Sequence, residues 1–510
     1  MRSWSLLFAL SLSLSPAVGV AKPLPTGSLS GLVNASTPAP IADAIRLTEA
    51  GKALSASKAI DGLLRSGDWP DHRSQLHYLM GRNLDALGMT HAAMRSFYAA
   101  LDGDHRAFAM VKVVLLAERL GDRHTLRRLA MTTPVSDYPP SARSALLYHR
   151  ARGLFDDDDL SGARKALEAI APQTAHAIRG RFLEGVIAHQ QSRLRPAVQA
   201  FRAVADSPDA DSPDADAELR SLAILNIARV YYSLERYDEA QGFYAQVPRN
   251  TDAWATALFE GAWAQFMTDD YNASLGDLLT IRSPFFSDRY LEPEAQILET
   301  LMAFYRCDFD GTERLARGFR SRYAPMIAEM SAMPDRAPEA VWEHYFGEGE
   351  STPTVLPKAF FVEALSSSGL QGTVRHLDQI DAELALIADQ RRDWQATVGA
   401  TLSAQLTRDR TILQRRAGRA LSAQAARTAA SLDHLSAQAD IILFELYDRS
   451  WRLDARRAEG LIELPKSARK ERGVSMWQVD GEVRMMEPFN GEFWEDELGY
   501  YLVFPDNRCQ

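Results

Sequence analysis

Between residues 40 and 325 apolar positions recur at three- and four-residue intervals, and no run alternates every second residue long enough to predict strands. The pattern predicts pairs of helices joined by tight turns. Two stretches, "GRNLDALGMTHAAMRSFYAAL" and "IARVYYSLERYDEAQGFYAQVP", show the same plan. In each, a small residue opens the second helix and a large one follows four positions later: Ala93 with Phe97, Ala240 with Tyr244. Gly81, Ala151, Gly185 and Ala228 stand where the first helix of a pair would cross its partner most tightly.

This plan resembles the tetratricopeptide repeat, a hairpin of two helices with small and large positions over 34 residues. Marking the small position at Ala59, Ala93, Leu126, Ala163, Ala197, Ala240, Ser274 and Thr312 gives spacings of 34, 33, 37, 34, 43, 34 and 38. The longest contains "SPDADSPDAD" (207–216), whose acids fit no calcium loop and read as a solvated insertion. The resemblance covers 40–323 and implies an all-α, TPR-like solenoid in which stacked hairpins bury one another's apolar faces. It also implies a concave groove lined by first helices. The positions carried over are Tyr78, Arg82, Tyr148, Arg152, Phe155 and Phe182, then Arg229, Tyr232, Phe259, Trp263 and Phe266. Aromatics and arginines are common anchors, and such a groove suits a peptide or helix from a partner protein. For Phe259, Trp263 and Phe266, with Ile297, Leu301 and Phe304, a second reading stands beside it. A patch so apolar seldom stays bare, so another segment of the same chain can cover it.

Residues 324–370 depart from the pattern, with Pro325, Pro334, Pro338, Pro353 and Pro357 between short helical pieces. From 371 to 457 there is no proline. There, Leu377, Ile380, Leu384, Ile387, Trp394 and Val398, then Leu421, Ala425, Thr428, Leu432, Leu435, Ala439, Ile442, Leu446 and Leu453 keep a three-four spacing. That is a coiled-coil seam. It predicts either one helix of roughly 120 Å or a helical hairpin bent near Thr407–Gly418, where "TRDRTILQRRAG" weakens the seam. Either form is an arm suited to a scaffold, or to a homodimer through the coiled coil.

The last segment, 458–510, begins with a basic link and turns acidic. From Val474 onward two arginines face eight acids, yet Trp477, Phe489, Phe493, Trp494, Tyr500, Tyr501 and Phe504 make it too aromatic for ordinary disorder. "MWQVDGEVRMME" has the alternation and Asp-Gly turn of a small β-hairpin. A segment this short cannot bury its own rings and must dock.

The N-terminus changes how this tail reads. Arg2, an apolar core from Trp4 to Leu14 and Gly19-Val20-Ala21 before Lys22 form a secretory signal peptide over 1–21, with a flexible linker over 22–39. No cysteine follows the cleavage site, and no later stretch is long and apolar enough for a bilayer, so the chain is expected to be exported and not integral to a membrane. In an oxidising compartment the two cysteines, Cys307 and Cys509, can pair, the alternative being two free thiols. By the repeat register Cys307 falls in the turn of the last hairpin, so a bridge would clip the tail to that rim. The order of signal peptide, hairpins, arm and a tail such as "NGEFWEDELGYY…C" resembles exported repeat proteins of Gram-negative envelopes, including some of gliding machines. That implies a periplasmic place, peripheral to the outer membrane.

Composition adds exclusions. Hydrophobic content of 46% and charged content of 24% are ordinary for a globular chain. A formal charge of −10 argues against nucleic acid as a partner. No HExxH, GxSxG or phosphate-loop motif occurs, so no catalytic residue, cofactor or metal site is expected. His149, His176 and His189 are scattered and read as packed or surface residues. Glu492 and Glu495 flank Trp494 in a way that could imitate a sugar-cleaving acid pair. The function expected is a non-enzymatic periplasmic scaffold that binds envelope proteins through its groove and arm. The competing expectation is a wall-active enzyme of lytic-transglycosylase type.

Overall fold

One backbone device closes every hairpin of this protein. In a computed structural model that describes residues 37–207, 213–249, 251–347, 353–366, 368–458, 473–476, 491–504 and 508–509, the hairpins are eight helix pairs. They are α1 (Ala39–Glu49) with α2 (Ala53–Ser66), α3 (Arg73–Ala86) with α4 (Thr90–Ala99), α5 (Arg106–Leu120) with α6 (Arg123–Thr132), and α7 (Arg143–Asp156) with α8 (Leu160–Glu168). Next come α9 (Ala175–Gln190) with α10 (Leu194–Ala205), α11 (Pro213–Ser233) with α12 (Tyr237–Tyr244), and α13 (Ala253–Met267) with α14 (Tyr271–Ile281). After the short α15 (Pro284–Ser287), α16 (Pro293–Tyr305) pairs with α17 (Phe309–Ser331). Each turn holds one left-handed residue: Gly51, Gly88, Gly121, Asp158, Ser192, Glu235, Asp269 and Cys307. The amide after it donates back into the first helix, as Asp122 N does to Ala117 O at 2.8 Å and Asp308 N to Ala303 O at 2.9 Å. This is the glycine-type helix stop, here filled by other residues in five of eight cases at a cost of about 1–2 kcal/mol each.

The next helix starts at once. Asp122, Asp159, Asp270 and Asp308 each follow the left-handed residue and cap the second helix, accepting from Thr125, Gly162, Ala273 and Gly311 N–H. Five positions beyond each left-handed residue lies a fully packed position: Ala56, Ala93, Leu126, Ala163, Ala197, Ala240, Ser274 and Thr312, all buried. The first marker is therefore Ala56, and not Ala59, which is only half-buried. Ser274 and Thr312 fit because their hydroxyls donate to Ala262 O and Asp308 O, both at 2.8 Å. A Cβ on Gly81 would come 2.8 Å from the Phe97 ring, so the small and large positions do meet as the pattern predicts.

Past the hairpins, α17 runs through Pro325 without a break. Phe319, Tyr323, Met326 and Met330 are buried along it, and that packing outweighs the ~3 kcal/mol a mid-helix proline costs. Two short helices, α18 (Pro338–Phe346) and α19 (Lys358–Ser366), lead to α20 (Ser368–Ala388), α21 (Arg392–Trp394) and the 59-residue α22 (Ala400–Ala458). The described residues form two compact units. The first runs to Ile187 and takes in Leu365–Ala420; the second takes in Ala188–Pro208, Asp216–Ala364 and Leu421–Gln510.

In the first unit α20 and the start of α22 are antiparallel. Asp381 pairs with Arg410 at 2.7 Å, and Ile387 packs over Gly399. The bend lies at 389–399, earlier than Thr407–Gly418, because Trp394 anchors there. Its ring is buried and its Nε1 donates to Ser57 Oγ at 2.9 Å. Through 407–418 the helix is unbroken, with Leu406, Leu413 and Ala417 buried. In the second unit Leu432, Leu435, Ala439, Ile442 and Leu446 are buried too. Arg320 meets Asp440 at 3.1 Å, and Arg449 lies over Phe304 at 5.3 Å, so the seam of α22 is covered by α16 and α17 of its own chain.

Among the described residues the sheet content is one antiparallel pair, β1 (Gly473–Met476) with β2 (Tyr501–Phe504), in register Gly473 opposite Phe504. The signal peptide, most of the linker, the core of the "SPDAD" duplication and the proposed turn at Asp480-Gly481 lie outside the described residues.

Candidate functional site

The first unit carries six of the groove positions, and the structure separates them by burial. Tyr78, Tyr148 and Phe182 are buried, whereas Arg82, Arg152 and Phe155 are half-buried. Tyr78 stacks on His105 with ring centroids 5.9 Å apart and tilts against Phe97 at 5.5 Å. Tyr148 lies 5.3 Å from His149 and 5.9 Å from His176. These two histidines, scattered in sequence, meet at one carboxylate. His149 Nε2 is 2.9 Å, and His176 Nε2 2.8 Å, from Glu118 Oε1. Burial pushes the Glu118 carboxyl up, but hydrogen bonds from the two imidazoles outweigh it and hold the group far below the carboxylate range. Burial also pushes His149 toward its neutral form. One residue from each of α5, α7 and α9 thus forms the group of His and acid side chains that could hold a metal.

A second polar cluster lies in a cleft of about 390 Å³ lined by α4, α6, α20 and α22 of the same unit. His91 contacts His376, and its Nε2 is 3.0 Å from Asp409 Oδ2. Arg95 reaches Asp409 at 2.6 Å. Glu383 accepts from His91 N at 2.5 Å and Ala92 N at 3.0 Å, capping α4 from another helix because Met89 offers no cap of its own. Burial and His91 push His376 down to about 4. Asp409 occupies the seam position between Leu406 and Leu413. The weak point in the apolar pattern is therefore this ion cluster, and not a bend.

In the second unit the groove positions become structure. Arg229 makes a bidentate pair with Glu260, the closest contact 2.7 Å, and Tyr244 Oη donates to the same carboxylate at 3.1 Å. Tyr232 is half-buried beside Tyr237. Phe259 and Trp263 belong to a core completed by Leu498 and Tyr501 from the tail, with Phe266, Leu301, Phe493 and Val503 against it. The tail therefore docks on α13, α14 and α16, as its aromatic content requires. Polar contacts orient it. Gly499 N donates to Thr280 Oγ1 at 3.0 Å, Arg249 donates to Leu498 O and lies 4.0 Å over Tyr500, and Arg508 pairs with Asp308 at 2.7 Å. Cys307 and Cys509 form the disulfide, with Cα atoms 5.0 Å apart, at the left-handed turn of the last hairpin.

Gly276 decides how closely the tail can lie. A Cβ there would strike the Tyr501 carbonyl. Gly276→Ala, worth up to about 1 kcal/mol of added helix propensity elsewhere, is expected here to lift the tail. Hydrogen exchange at the amides of 498–504 should accelerate roughly tenfold or more. Unchanged exchange would contradict that contact.

One apolar surface in the second unit has no cover among the described residues. Ile441, Phe444, Tyr447 and Trp451 follow a helical stripe on α22, with Phe444 71% and Trp451 72% exposed. At 3.6 residues per turn they lie on the side away from Leu432, Leu435, Ala439 and Leu446. Tyr447 marks the edge, donating to Glu313 at 2.8 Å. Sequence reasoning followed the seam and missed this opposite stripe, although its three-four spacing was readable. Glu492 and Glu495 are both exposed, as is Trp494. No helix among the described residues is long and apolar enough to cross a membrane. Neither a protein-family model nor a curated protein matches the chain, so its own geometry carries the functional reading.

Proposed function

We propose that the protein is a non-enzymatic scaffold of the bacterial cell envelope, built of TPR-like hairpins, exported, and peripheral to the membrane. The observation that carries the reading is the exposed stripe of Ile441, Phe444, Tyr447 and Trp451 on α22. Two fully presented aromatic side chains on one helix face suit the apolar side of a partner helix, and aromatic anchors of this kind dominate binding energy. The tail supports the same reading from within. An extended aromatic segment already lies on a hairpin face of the second unit, so such faces can hold a peptide. Export is supported by the signal-like N-terminus and the paired cysteines.

A photo-crosslinking residue at Phe444, expressed in the native envelope, is expected to yield a discrete protein adduct. Trp451→Asp in the same chain should abolish it, since burying a charge on an apolar interface costs several kcal/mol. Absence of any adduct, or murein clearing by the purified protein that depends on Glu492, would overturn the scaffold reading.

A further inference from the structure

We propose that Glu118, His149 and His176 form a binding site for one divalent transition-metal ion of the zinc class. The donor set is one carboxylate and two imidazoles, a set that zinc accepts in sites with one open position. Each donor stands on the first helix of a different hairpin, so the stacking of three consecutive hairpins, and not a flexible loop, sets their spacing. Their donor atoms all lie within 4.8 Å of one another. Both histidines aim the same nitrogen, Nε2, at Glu118 Oε1, at 2.9 and 2.8 Å. Tetrahedral zinc with ligands at about 2.0–2.1 Å needs donors about 3.3 Å apart. The two Glu–His separations must therefore open by about half an ångström, and the two imidazole nitrogens, within 4.8 Å of each other, must settle to the same spacing.

Metal binding needs the Glu118 carboxyl ionised and the two imidazoles neutral. Without a metal, the single oxygen Glu118 Oε1 meets both imidazoles. Arg152 acts on His149 through space, a positive charge that favours an anion, such as hydroxide or a carboxylate, as the remaining ligand. The proposal does not depend on the scaffold reading: three protein ligands and an open position serve a partner's side chain as well as a water.

The test uses the full, oxidised chain stripped of metal with a chelator. Titration with Co²⁺ is expected to give visible absorption bands that saturate at one equivalent and are displaced by Zn²⁺. Glu118→Gln and His176→Ala should each weaken zinc at least about 100-fold, with helical circular dichroism retained. His376→Asn, in the separate His91 cluster, should leave stoichiometry and affinity unchanged. A wild-type protein with no saturable cobalt band overturns the proposal whatever the variants do. So does zinc binding that survives both ligand substitutions or is lost in His376→Asn.

Discussion

Replacing Cys509 with serine is expected to lower the stability of the second unit by up to about 5 kcal/mol. The bridge joins residues 202 apart, and closing so long a loop removes much of the unfolded chain's freedom. The value is the chain-entropy limit, and ordinary bridges of this kind deliver about 2–4 kcal/mol. Urea melts of the oxidised wild type, Cys307→Ser, Cys509→Ser and the double variant measure it. Both single variants break the same bond, so the double variant should match either one. Cys307→Gly should fall less far than Cys307→Ser, because Cys307 holds a left-handed turn conformation that glycine adopts freely. Melts of Cys509→Ser that coincide with oxidised wild type would remove the clip from the account. The loss should also be local first. The chain end is then held at Arg508 by its Asp308 pair and its amide bond to Arg306 O.

Glu260→Ala is expected to cost about 3–5 kcal/mol, the price of stranding a buried charge. Glu260 is only 2% exposed. It takes two nitrogens of Arg229 and the hydroxyl of Tyr244. Burial would push the Arg229 guanidinium down, but Glu260 outweighs it and holds the group above its ordinary range. Removing the carboxylate deprives that buried cation of its bidentate charge partner. Replacing both partners, Arg229→Met with Glu260→Leu, should recover most of the loss, since well-packed apolar pairs often match buried ion pairs. Thermal melts of the two single variants and the double variant form the cycle. A Glu260→Ala protein within about 1 kcal/mol of wild type would show that the pair carries little net stability.

Much of the fold was legible because its causes are local. The helix pairs follow from apolar periodicity, and the tight crossings from Gly81, Ala151 and Ala228. Docking of the tail followed from seven aromatics in a segment too short to bury them. What misled the sequence reading was also physical. Five of eight turns use Asp, Ser, Glu or Cys where glycine would announce the stop, and the first marker, set at Ala59, lies three residues past the packed Ala56. Pro325 looked like a helix end, yet burial of Tyr323 and Met326 carries the helix through it. The charged run around Asp409 looked like a bend because its partners, His91 and Arg95, lie over 300 residues away in sequence.

The candidate sites divide the same way. The sequence by itself determined an all-α hairpin array, the only two cysteines that could pair and an aromatic tail that docks, since each is written in neighbouring residues or in composition. Only tertiary structure decided which aromatics stay exposed. Phe259 and Trp263 are covered by Leu498 and Tyr501, whereas Phe444 and Trp451 remain open. It alone brought Glu118, His149 and His176 to one point. A helix propensity is set within a few residues of chain, but a constellation of side chains depends on how distant helices stack.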